Sequence, residues 1–112
     1  ASHSPLMQQE SQHFNELVNR INFRPPQVPL IANISAQALT TVEELRTELS
    51  EQLTRPVQWT RSVQAMVSEG VDTIIEIGPK QVLSGLIKRI TPEARPVALT
   101  DPDVVKLLAE AR

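Results

Sequence analysis

Histidine has the widest chemical reach of any side chain in this sequence, and there are two, His3 and His13. Cysteine is absent, which excludes thiolate nucleophiles, disulfides and thiolate metal sites. Two histidines alone do not compose a metal centre of the usual kind. Proton transfer is what remains. His3 precedes Ser4-Pro5, where serine suits a helix N-cap and proline suits the first helical position, which needs no amide hydrogen. It therefore lies just outside the positive end of a helix, a setting that disfavours an imidazolium and suits a general base. Position alone does not separate this reading from an idle histidine near a chain start. Asp72 and Glu76 flank one predicted strand but form no carboxylate pair for acid–base work, so Glu76 reads as a hydrogen-bonding residue.

The elements that must position these groups follow from periodicity and punctuation. From Ser4 to about Ile21, the residues Met7, Phe14, Leu17, Val18 and Ile21 recur at helical spacing and predict a helix with one buried face. Three prolines within 25–29 end it. Leu30 to Ile34 reads as a short buried strand. Thr41-Val42-Glu43-Glu44 matches a capping box, opening a helix that carries Val42, Leu45, Leu49 and Leu53. Beyond Pro56, a third helix aligns Trp59, Val63, Met66 and Val67, with Gly70 as its C-terminal cap. Residues 71–77 are β-branched and nearly continuous, the pattern of a strand buried on both faces of a parallel sheet. Gly78-Pro79 turns into a helix with Val82, Leu83, Leu86, Ile87 and Ile90 on a wide apolar stripe. Pro96 to Leu99 is a further strand, and Asp101-Pro102 opens a last amphipathic helix through Ala111. Strands alternating with helices, without tight hairpin turns, predict an α/β fold with a mostly parallel sheet.

At 112 residues the chain is the size of one small domain, and no internal repeat or low-complexity linker divides it. Phe14, Phe23 and Trp59 are its only aromatics, so the core must be aliphatic. A net charge of −2 and the lack of any basic stripe argue against nucleic acid as a partner. No apolar run approaches the roughly 20 residues of a membrane span, and no secretory signal is visible, so no membrane partner and a cytoplasmic location are expected. Two or three short strands make a poor sheet, with unpaired edges and uncovered helix faces. The expectation is one segment, residues 1–112, from the back part of a larger α/β protein.

Four segments occur in order: His3-Ser4-Pro5-Leu6-Met7; Pro56-Val57-Gln58-Trp59 followed by Ser62-Val63; Glu76-Ile77-Gly78-Pro79; and Val82 to Ile90. Together they resemble the C-terminal part of malonyl-CoA:acyl carrier protein transacylases, over positions 2 to 90. Pro29 to Asn33 also resembles that family's proline-then-strand segment. The resemblance implies an α/β-hydrolase-like large subdomain and transfer of malonyl from coenzyme A to the phosphopantetheine thiol of acyl carrier protein. Malonyl-CoA is then a substrate, and no cofactor is implied.

In that family a serine at a Gly-His-Ser-x-Gly elbow carries the acyl group, and a histidine matching His3 is its base. Serine is a poor nucleophile until an oriented base assists it. The orienting oxygen comes from a glutamine matching Gln52, with Asn33 the runner-up for that role. Ser2 and Asn33 are expected on the substrate side, Ser2 leaving room beside the acyl α-carbon. The serine elbow, the arginine that pairs with the malonyl carboxylate and the oxyanion loop have no counterpart here. This segment alone is therefore expected to be inactive, with the family's N-terminal part as a partner beside acyl carrier protein.

One departure is Gly78-Pro79-Lys80, where the family has Gly-Pro-Gly; a positive φ at Lys80 would strain it. Lys88, Arg89 and Arg95 are candidates for greeting an acidic carrier protein. The competing readings are a non-catalytic α/β interaction module that binds carrier protein, and the acyltransferase segment of a polyketide synthase.

Overall fold

The computed structural model describes residues 2–100, 106 and 109–110. It forms two compact units, Ala1–Ser62 and Val63–Arg112. The helix expected from Asp101 lies largely outside the described residues.

In the first unit, Ser4 caps as expected, its hydroxyl accepting from the Leu6 amide at 3.3 Å. The turn it opens is a 3-10 helix, Pro5–Met7, which runs into α1, Gln8–Arg20. Residues 30–31 form β1 (Leu30–Ile31), shorter than the strand expected. It pairs antiparallel with β2 (Ala38–Leu39), in the register Leu30↔Leu39 and Ile31↔Ala38. That hairpin was not visible in the sequence because its turn holds neither Asn-Gly nor Asp-Gly. Instead the turn places Ala36 at φ +59 and bonds the Ala36 amide to the Ala32 carbonyl.

Helix α2, Val42–Gln52, begins with the predicted capping box: Thr41 Oγ1 accepts from the Glu44 amide, and Glu44 Oε2 accepts from the Thr41 amide. Arg46 on α2 donates to the Val18 and Ile21 carbonyls at 2.9 and 2.6 Å. Its guanidinium also lies 5.0 Å from the centre of the Phe23 ring. It thereby gives the Val18 carbonyl, which also accepts from the Ile21 amide at 3.2 Å, a second donor, satisfies the Ile21 carbonyl, and ties α1 against α2. Val18, Ala32, Ile34, Ala36 and Leu39 form the buried core. Leu17 and Ile21, expected on the buried face of α1, are about half exposed.

Helix α3, Trp59–Ser68, spans the division between the units. It ends as predicted on Gly70, whose φ of +90 suits glycine. The Val71 amide bonds the Met66 carbonyl and the Gly70 amide bonds the Val67 carbonyl, the paired closure of a Schellman cap.

In the second unit, β3 (Thr73–Ile77) pairs in parallel with β4 (Arg95–Leu99), in register from Thr73↔Arg95 to Ile77↔Leu99. Helix α4, Val82–Ile90, is the crossover and packs on both strands. This is the α/β arrangement read from the sequence. Gln81 offers α4 no side-chain cap. Glu76 does so from β3: Oε1 accepts from the Leu83 amide at 3.0 Å, and Oε2 from the Ser84 amide and hydroxyl at 2.8 and 2.6 Å. The positive φ of the connecting turn falls on Gly78, at 153°, and Lys80 has none, so the strain envisaged there is absent. Ile87 is fully buried, whereas Ile75, Ile77, Val82, Leu83 and Leu86 remain exposed. The sheet and α4 thus each keep an uncovered apolar face among the described residues.

Candidate functional site

The first unit brings His3 and the end of α2 together across 49 positions of sequence. His3 Nδ1 lies 2.8 Å from the main-chain carbonyl oxygen of Gln52. A carbonyl only accepts, so Nδ1 carries the proton, and in the neutral ring Nε2 then holds the lone pair. The next amide along, Ser4, donates to the carbonyl of Leu53 at 3.0 Å. Both acceptors belong to the last turn of α2, where carbonyls have no helical partner of their own. His3 and Ser4 use that surplus. Their docking holds His3 at φ +62, a left-handed conformation uncommon outside glycine. Backbone held in such a region by surrounding contacts is a feature of functional positions.

The sequence reading placed His3 relative to the start of its own helix. The contact the ring makes is instead with the carbonyl end of a different helix, which no local pattern reveals. Gln52 meets His3 through its main chain, so the identity of its side chain is not what supplies the oxygen.

Asn33 does not share this bond. Its amide donates to Glu48 Oε1 at 2.7 Å, and its carbonyl accepts from the Gln58 amide at 2.6 Å. Glu48 Oε1 also accepts from the Ile34 amide at 3.3 Å. Asn33, Glu48 and Gln52 line a cleft of about 370 Å³, together with apolar residues that include Leu30, Leu45 and Leu49. Ser2 is exposed and makes no hydrogen bond among the described residues. The structure therefore joins His3 to Gln52, gives Ser2 no hydrogen bond among the described residues, and ties Asn33 through its main chain to Glu48 and Gln58.

Sequence reasoning missed Leu53 and Glu48. Leu53 acts through a carbonyl, which every residue has. Glu48 sits among three other glutamates of α2 and looks like a solvated helix face, yet it is buried to 9% exposure. Trp59 is half-buried, and its Nε1 is shielded without a partner among the described residues. Lys88, Arg89 and Arg95 are all exposed, with Lys88 and Arg89 in the last turn of α4. None of the helices among the described residues is long and apolar enough to cross a membrane.

No protein-family model matches the chain. It is 36% identical over 105 residues to the malonyl CoA-acyl carrier protein transacylase of Bacillus subtilis, covering 94% of this chain and 33% of that protein. The crystal structure of a malonyl-CoA:acyl carrier protein transacylase from Xanthomonas oryzae superposes with a TM-score of 0.88 at 38% identity, covering 98% of this chain and 35% of the other. A malonyl-transacylase solved in complex with a type II polyketide acyl-carrier protein superposes at 0.90 with 32% identity, covering 99% and 36%. The chain spans about a third of the length of the curated relatives it matches.

Proposed function

The chain belongs to the malonyl-CoA:acyl carrier protein transacylase family, matching its C-terminal part, and we propose that it supplies that enzyme's general base, His3. The observation that carries the proposal is the 2.8 Å contact between His3 Nδ1 and the Gln52 carbonyl. It fixes the tautomer whose Nε2 is free to take a proton.

In this reading Nε2 removes the proton of a serine hydroxyl as its oxygen attacks the malonyl thioester carbonyl. The tetrahedral intermediate collapses, the C–S bond breaks, and Nε2–H returns the proton to the departing coenzyme A sulfur. The second half runs in reverse: Nε2 takes the proton of the phosphopantetheine thiol, whose sulfur displaces the serine oxygen, and the proton goes back to serine. When the ring is transiently cationic, the Gln52 carbonyl at the negative end of α2 faces it, in place of the carboxylate of a Ser-His-Asp triad.

No Gly-His-Ser-x-Gly sequence occurs among the 112 residues. The serine, the malonyl-binding arginine and the oxyanion donors are therefore assigned to the N-terminal part of the enzyme. Residues 1–112 form one segment of its large subdomain and transfer nothing alone. The apolar faces at Ile75, Ile77, Val82, Leu83 and Leu86, uncovered among the described residues, support this assignment, because they offer a surface against which a further part of the enzyme can pack.

The test is His3→Ala in a complete transacylase carrying this segment, followed by malonyl transfer to acyl carrier protein. The expected loss is about 10²- to 10⁴-fold; near-normal transfer removes His3 from the chemistry. A second reading, malonyl supply to a polyketide carrier protein, draws on the similarity to the polyketide-associated transacylase. Comparing kcat/KM for the two classes of carrier decides between them.

A further inference from the structure

The contacts behind the His3 site raise a question about Glu48. Its carboxylate is buried and forms no ion pair among the described residues. A buried charge without a cation must be compensated by hydrogen bonds. Here the compensation is the pair of main-chain amides of Asn33 and Ile34, at 2.7 and 3.3 Å. On the other side of Asn33, its carbonyl accepts from the Gln58 amide at 2.6 Å. Residues 48 to 58 are thus fastened at both ends to a single residue. Between the two fastenings lie the carbonyls of Gln52 and Leu53, the acceptors for His3 and Ser4. Glu48 is also one helical turn before Gln52, so a shift at one is passed directly to the other.

We propose that Glu48 is a positioning residue for His3: by fastening α2 to the turn at Asn33 and Ile34, it sets the Gln52 and Leu53 carbonyls where they hold the imidazole in its Nδ1–H tautomer. The inference rests on the reading of His3 as the base, though its first observable does not. Because Asn33 takes part through its main chain alone, the assignment moves importance from Asn33, which the sequence singled out, to Glu48, which it did not.

The experiment compares Glu48→Ala, Glu48→Gln and Glu48→Asp. In a complete transacylase carrying this segment, nitrogen-edited NMR with a selectively labelled His3 ring reads the tautomer directly. The unsubstituted chain is expected to show Nδ1–H. Glu48→Ala is expected to move the ring towards a mixture of tautomers. Glu48→Gln retains an acceptor oxygen at the same reach and is expected to restore the Nδ1–H form. Glu48→Asp keeps the charge but is one methylene short, and is expected to behave like Glu48→Ala. In a complete transacylase, Glu48→Ala is expected to lower kcat on the order of tenfold with KM for malonyl-CoA little changed, and Glu48→Gln to recover most of it. If Glu48→Ala melts the chain, the Gln and Asp pair still carries the comparison. Equal tautomer populations and equal kcat in those two variants overturn the proposal. Failure of the parent reading looks different: His3→Ala then retains transfer whatever the Glu48 variants do.

Discussion

The oxygen that orients His3 belongs to the main chain of Gln52, and this separates two perturbations that would otherwise be lumped together. Replacing the side chain, Gln52→Ala, leaves the carbonyl in place. Alanine is at least as good a helix former as glutamine, so the last turn of α2 should persist. Weakening the carbonyl itself requires a backbone change. An ester in place of the amide between residues 52 and 53 makes the oxygen a poorer acceptor while leaving both side chains intact. A hydrogen bond of this kind is worth about 0.5–1.5 kcal/mol net, and about 1.4 kcal/mol corresponds to tenfold in rate. The ester is therefore expected to reduce kcat by about two- to tenfold, whereas Gln52→Ala stays within about twofold. Both effects lie well below the roughly 10²- to 10⁴-fold expected for losing the base. The assay is single-turnover malonyl transfer from coenzyme A in a complete transacylase, which isolates the step in which the proposed mechanism moves the serine proton. Thermal unfolding is followed in parallel, because the ester also deletes the Leu53 amide donor to Glu51. A Gln52→Ala loss as large as that of His3→Ala would refute the reasoning and put the side-chain amide in the orienting role. So would an ester with no effect on rate.

Two further outcomes follow from the second unit. The Ser84 hydroxyl, aided by the Ser84 and Leu83 amides, holds the Glu76 carboxyl below the ordinary glutamate range. A carboxyl lowered on folding stabilises fully above its unfolded value, about pH 4.3, and that contribution disappears as pH falls through the lower folded value. Glu76→Gln should flatten the dependence of unfolding free energy on pH below about 4.3, read by denaturant titration at several pH values; an unchanged slope excludes this cap as a source of acid sensitivity. For carrier protein, Lys88→Glu with Arg89→Glu should lower kcat/KM for the carrier several-fold, more at low salt, while hydrolysis or exchange with coenzyme A alone is unchanged. Equal loss with both acceptors would mean that the helix end had been damaged, not that a docking charge had been removed.

What the sequence made legible was whatever is specified locally. The capping box at Thr41 and Glu44, the glycine closure at Gly70 and the Ser4-Pro5 start depend on neighbours within six residues, and each forms as read. The β-branched run at 71–77 became a parallel strand over residues 73–77, but Ile75 and Ile77 stay exposed among the described residues, so the expected burial on both faces is not seen there. Where distant residues settle the outcome, the pattern was silent or misplaced. The hairpin of β1 and β2 closes on a turn without the usual residues. The cap of α4 comes from Glu76, which precedes the helix by six residues and belongs to a strand. Leu17 and Ile21 follow the helical period of a buried face, but period reports which side of a helix is apolar and not whether anything covers it. The site shows the same division most sharply. A histidine is conspicuous in a sequence, and the resemblance pointed to Gln52 beside it, but that the oxygen is a peptide carbonyl at a helix end is not written in residue types. Glu48 was hidden for the opposite reason. It has a charged side chain in a charged stretch, and only burial against two main-chain amides distinguishes it from Glu43, Glu44 and Glu51. The family resemblance thus rests on residue types in order along the chain, while the contacts around His3 are made by main-chain atoms, which residue types do not encode.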